Sequence, residues 1–132
     1  MAADGGWWNH EPSRLDQTPI TVPTVLVFDG RTGRLLKEWG DTLFALPHSV
    51  TLDRQDNIWI TDVVTDIGDD SVPDRSRIYV MGPQGSSIGR IGRKGNYDGQ
   101  FMVAHGVAVG KGGEAYVADF SGRRVQKFLR KY

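Results

Sequence analysis

The chain has 132 residues and not one cysteine. Disulfides and thiolate metal sites are therefore excluded, and no redox clue to compartment exists. Net charge is missing too. Sixteen Lys and Arg balance sixteen Asp and Glu, so bulk charge draws the chain toward neither nucleic acid nor membrane. No apolar run approaches the ~20 residues that span a bilayer. The opening MAADGGWWNHEPSRLDQ lacks the basic start and apolar stretch of a signal peptide, which leaves localisation unassigned. Helical periodicity is also absent: nowhere are apolar spacings of three and four sustained over ~11 residues. What the chain does hold is turn and strand material. Seventeen glycines and six prolines supply turns, and Trp, Tyr, Phe, Val and Ile supply strand formers.

This material repeats. LPHSVTLDRQDNIWITDV (46–63) returns as VAHGVAVGKGGEAYVADF (103–120), a shift of 57 positions that carries Phe44 onto Phe101, His48 onto His105 and Asp62 onto Asp119. A second module, VLVFDGRTGRLLKEWG (25–40), returns as IYVMGPQGSSIGRIG (78–92) and begins again as VQKF (125–128). Each copy reads strand, Gly-containing turn, strand, the mark of a hairpin. Four strand types result. Strand a covers 49–53 and 106–109, strand b 57–61 and 114–118, strand c 24–28, 77–81 and 124–128, and strand d 34–39 and 86–91. The first unit has an insert, VVTDIGDDSVPDRS (63–76), where the second has FSGRR, and removing that ten-residue difference gives a period of 47. Four antiparallel strands in such a period make a β-propeller blade.

The domain reading is a leader at 1–23, expected to be poorly ordered, and a partial propeller at 24–132. The propeller divides into a half blade (24–40), a full blade with its insert (46–92) and a partial last blade (103–132). Nine strands fall short of the sixteen of even a four-bladed ring. Either the chain is a piece of a longer protein, or several copies associate to close a ring.

GQF, then a histidine and GVAV, then AYVADFSGRRVQKF resembles the NHL-repeat family of propellers over roughly residues 24–131. Within it, VFD…G…WG…LF…LPHSVTLD…NIWITDV is similar to blades of the peptidyl-α-hydroxyglycine α-amidating lyases and their bacterial relatives. The resemblance implies an all-β fold of four-stranded antiparallel NHL-type blades, with about two and a fraction of a six-bladed ring in this chain. It also implies a zinc-dependent carbon–nitrogen lyase, which breaks a carbinolamide to a peptide amide and glyoxylate. Relatives of this kind are often exported. In them the histidine that opens an inner strand is a zinc ligand, which makes His48 and His105 the candidate metal ligands. A third ligand must come from another blade or a neighbouring chain, since His10 sits in the unplaced leader. Two departures stand out. The histidine blades are consecutive here, whereas the family separates them by another blade. Where the family has a Tyr and an Arg just after the strand-b aspartate, this chain has Val63 and Phe120, and Arg123 is the weak catalytic candidate that remains.

Propeller geometry places these residues. Strand a lines the channel, and the d-to-a and b-to-c connections share one face. His48 and His105, just before strand a, and Asp62 and Asp119, ending strand b, converge there, with the insert and Arg123 overhanging. Concave surfaces of this kind bind ligands. Each feature has a plainer reading as well. The histidines can be hydrogen-bonded polar residues, and the two aspartates can accept backbone N–H groups and fix the next turn. Asp66, Asp69, Asp70 and Asp74 offer oxygens to calcium, but without EF-hand spacing a solvated acidic loop is the simpler reading. The basic run RRVQKFLRK (123–131) alternates across a strand and disperses its charge, so nucleic acid is not the expected partner. Trp39, Trp59, Tyr79, Tyr116, Phe28 and Phe128 are expected to pack between blades. Besides the lyase reading, a non-catalytic scaffold that binds a peptide, protein or small ligand on the channel face stays open, as does, further off, an RNA-binding module.

Overall fold

The computed structural model describes residues 19–63 and 77–130. Trp7, Trp8, His10, most of the leader, and the insert from 64 to 76 with its four aspartates lie outside them. Among the described residues there are nine strands and no helix; accordingly, no helix is long and apolar enough to cross a membrane.

β1 (Val25–Phe28) and β2 (Leu35–Trp39) form a two-stranded sheet. β3 (Pro47–Leu52), β4 (Ile58–Asp62), β5 (Arg77–Met81) and β6 (Ser87–Ile91) form a four-stranded sheet in sequential order. β7 (Ala104–Val109), β8 (Ala115–Asp119) and β9 (Arg124–Phe128) form a three-stranded one. Every pairing is antiparallel. Strand ends fall within two residues of the sequence reading.

Turn chemistry closes the hairpins. Asp29 Oδ1 accepts the N–H groups of Arg31 and Thr32, each at 2.9 Å, between β1 and β2. Asp53 performs the same task between β3 and β4. It accepts from the backbone of Gln55 (2.9 Å) and Asn57 (3.0 Å), from the Asn57 amide (2.9 Å) and from the Trp59 indole (3.0 Å).

The first and second sheets each end in a glycine that makes room for a phenylalanine. Gly40 and Gly92 follow β2 and β6 with φ of 90° and 82°, a region that glycine enters freely. A Cβ on Gly40 would stand 3.2 Å from the Phe44 ring, and one on Gly92 would run into the Phe101 ring. Phe44 and Phe101 are both fully buried.

The core lies between sheets. Phe44, Ile60, Tyr79 and Met81 pack with Val25 and Trp39 where the first sheet meets the second. Ile78, Phe101, Ala104, Val107 and Val117 pack with Trp59, Ile91 and Phe128 where the second meets the third. Phe44 meets Tyr79 edge-on with ring centroids 5.2 Å apart, a favoured aromatic geometry. Trp39, Trp59, Tyr79 and Phe128 thus pack as expected. Tyr116 and Phe28 do not: they are 36% and 53% exposed. Both sit on strand faces that no described blade covers.

Candidate functional site

The inner strands β3 and β7 begin at Pro47 and Ala104, two residues earlier than expected. His48 and His105 are therefore inside the strands and not ahead of them. Both occupy the same irregularity. Pro47 pairs with Asp62 and Ser49 with Thr61, leaving His48 as the extra residue of a β-bulge. Ala104 pairs with Asp119 and Gly106 with Ala118, leaving His105 as its counterpart. A bulge frees one residue from the ladder and re-aims its side chain. Here the two re-aimed rings meet: their centroids are 3.8 Å apart at an interplanar angle of 48°. Both residues are exposed.

Asp62 and Asp119 anchor the segments that lead into the bulges. Asp62 is fully buried. It accepts the Leu46 N–H at 2.7 Å and the Ala45 N–H at 3.2 Å to each oxygen. Asp119, 2% exposed, accepts from Val103 at 2.9 Å and Met102 at 3.1 and 3.2 Å. It also accepts from Gly122 at 3.1 Å and faces the Arg124 guanidinium at 3.7 Å. The expected role in fixing the next turn applies to Asp119 through Gly122. The larger role, at both positions, is to hold the preceding connection, sixteen and seventeen residues upstream. That role was missed because it crosses the sheet.

Val63 and Phe120 are structural counterparts: each donates its N–H to the connection before a bulge, to Leu46 (3.1 Å) and Val103 (3.0 Å). Their side chains diverge. Val63 is buried at 3%, while Phe120 is 71% exposed and lies 5.6 Å from the His105 ring. Arg123 is exposed in the β8–β9 turn with φ of 53°. The basic run divides as alternation requires. Arg124 donates to the carbonyls of Tyr97 (2.7 Å) and Gln100 (3.0 Å), whereas Lys127 lies 5.2 Å from the centre of the Tyr116 ring.

Two imidazoles fit half of a zinc site. On a tetrahedral zinc with Zn–N bonds of ~2.0–2.1 Å, two histidine rings stand with centroids roughly 5 Å apart. The observed 3.8 Å asks the rings to open by about 1 Å, within reach of exposed side chains. Among the described residues, no group of three or more His, Cys, Asp or Glu is placed to hold a metal. His48 and His105 are thus two candidate ligands, short of the three that a catalytic zinc takes from its protein. Sequence reasoning also passed over Thr61, a buried hydroxyl between the two bulges. No spacing marks it, because its partner on the second bulge lies in the next blade.

Antiparallel sheets in sequential strand order, with the core between them, are the blades of a β-propeller. Residues 101–128 match the NHL repeat model. The particular likeness is to amidating lyases. The chain is 30% identical over 115 residues to peptidyl-alpha-hydroxyglycine alpha-amidating lyase 2 of Drosophila melanogaster, covering 86% of this chain and 27% of that one. It is 29% identical over 124 residues to a probable lyase of the same name from Caenorhabditis elegans, covering 93% and 33%. A 45-residue stretch, 34% of this chain and 5% of the relative, is 51% identical to peptidyl-glycine alpha-amidating monooxygenase B of Xenopus laevis. The chain spans a third or less of the length of these curated relatives.

Proposed function

We propose that this chain contributes a metal-binding histidine pair, His48 and His105, to a propeller of the amidating-lyase kind, with zinc as the metal. The observation that carries the reading is the meeting of the two rings, 3.8 Å apart, from matched bulges in successive blades. Zinc would supply a Lewis acid there and lower the pKa of a bound water. The residues of this chain have the other tasks. His48 and His105 offer imidazole nitrogens, and Asp62 and Asp119 hold the backbone that carries them. Phe120 gives the site an apolar flank.

Carbon–nitrogen bond cleavage belongs to this reading only when further ligands and blades complete the site. Among the described residues, β1 has no strand on the side away from β2, and β9 none on the side away from β8. Such open edges call for further strands, from a longer chain or from other copies.

The test is the zinc content of the purified full chain after dialysis, by elemental analysis. The expected result is bound zinc, lost in both His48→Ala and His105→Ala. A wild-type chain that takes up no zinc at micromolar metal overturns the reading.

A second reading, a scaffold that binds a peptide or small ligand without chemistry, is favoured by one observation. Both carboxylates near the pair are taken up by backbone N–H groups, and Val63 and Phe120 stand where the resemblance implies a Tyr and an Arg. It predicts ligand capture that survives chelation of metal.

A further inference from the structure

We propose that Thr61 is the positioning residue that sets the two histidines relative to each other across the blade boundary. Its hydroxyl oxygen accepts the N–H of Ser49 at 2.9 Å, the first residue after the His48 bulge. The same hydroxyl donates to the carbonyl oxygen of His105 at 3.3 Å, the bulged residue of the next blade. One side chain thus ties the backbones of both bulges together.

Thr61 is fully buried, so water does not compete for either bond, and each would leave an unmet polar group if broken. The tie is local to this boundary. In the next blade the corresponding position is Ala118, which faces Gly106 across β7 and β8 without a hydroxyl. β7 packs against both β3 and β4 here, yet packing of apolar side chains is non-directional and permits small slips between sheets. A hydrogen-bonded hydroxyl adds direction. It fixes how far the His105 bulge stands from the His48 bulge, and so whether two rings on different blades can meet.

The purpose of this arrangement rests on the metal reading above; its geometry does not. The test uses the full chain in three variants: Thr61→Val, which keeps the shape and removes the hydroxyl; Thr61→Ser, which restores it; and Thr61→Ala, should the valine variant fail to fold. The first readout is the nuclear Overhauser effect between the imidazole protons of His48 and His105 in metal-free protein. The second is zinc affinity by titration calorimetry.

We expect the ring-to-ring signal to be present in wild type and Thr61→Ser and lost in the valine or alanine variant, with unchanged far-ultraviolet circular dichroism. Zinc should bind ~10-fold or more weakly when the hydroxyl is gone, the usual size of such supporting effects. A ring-to-ring signal that survives loss of the hydroxyl, or is absent from wild type, overturns the proposal whatever zinc does. A signal that follows the hydroxyl in a chain that binds no zinc upholds Thr61 as the positioning residue and refutes the metal reading instead.

Discussion

Replacing Asp62 with alanine tests how the histidine bulge is held in place. The carboxylate accepts the Leu46 N–H at 2.7 Å and shares the Ala45 N–H at 3.2 Å between its oxygens. Ala45 is 7% exposed and Leu46 half-buried. Leaving a buried donor unpaired costs ~1–3 kcal/mol. Water can reach Leu46 more readily than Ala45, so the two together should cost about 2–4 kcal/mol. Asp62→Asn keeps one acceptor oxygen but turns an amide N–H toward one of the donors, and about half that loss is expected. The assay is urea unfolding of the full chain at neutral pH, followed by tryptophan fluorescence, with the midpoint shift read at constant slope. The matched Asp119→Ala should cost at least as much, since Gly122 loses its acceptor as well. A loss below about 1 kcal/mol for Asp62→Ala, with unchanged slope, would refute the claim that this carboxylate anchors the connection.

Other outcomes follow from the turns and the core. Gly92→Ala should destabilise far more than Gly33→Ala in thermal melts. Both have positive φ, and that alone costs roughly 1–2 kcal/mol, but at Gly33 a Cβ meets open space while at Gly92 it meets the Phe101 ring. Phe101→Ala should cost ~3–5 kcal/mol, the usual range for emptying a buried aromatic site; equal midpoints for mutant and wild type would contradict the core assignment. At Asp53, partial burial works to raise the pKa, but the hydrogen bonds from Trp59, Asn57 and Gln55 outweigh it and hold the group below its ordinary 3.8. Its contribution is therefore complete above the unfolded value and fades as pH falls through the lower folded one. Asp53→Asn should flatten the acid limb of the stability–pH curve, and an unchanged limb would show that the Asp53 bonds do not persist in solution.

Strand positions were legible because both repeats keep the same alternation and the same turn residues. Phe44 over Phe101 and His48 over His105 marked the unit, and the glycines after β2 and β6 marked its corners. The limits of that reading are local. The bulges could not be seen, because an extra residue in one strand shows only when the partner strand is placed beside it. The alternation alone therefore starts these strands two residues late and leaves the histidines ahead of them. Sequence proximity points each aspartate at the turn next to it, while the main partners are sixteen and seventeen residues upstream. Residue type alone points Tyr116 and Phe28 to the packing between blades, but what decides their burial is whether another sheet lies over them. Thr61 had no distinguishing neighbour in the sequence. Its role depends on a carbonyl in the following blade.

The aspartate anchors have a consequence for how such a protein can change. Asp62 and Asp119 hold the histidine-bearing segments from behind, through the sheet, and each is the last residue of its strand. The chain that follows runs from 63 to 76 in one unit and takes only a few residues in the other, yet both bulges have the same form. The length of the segment that follows the strand is thus mechanically uncoupled from the placement of the imidazoles. Segments grafted after Asp62 or Asp119 could therefore be exchanged to recognise new ligands while the paired rings stay in register.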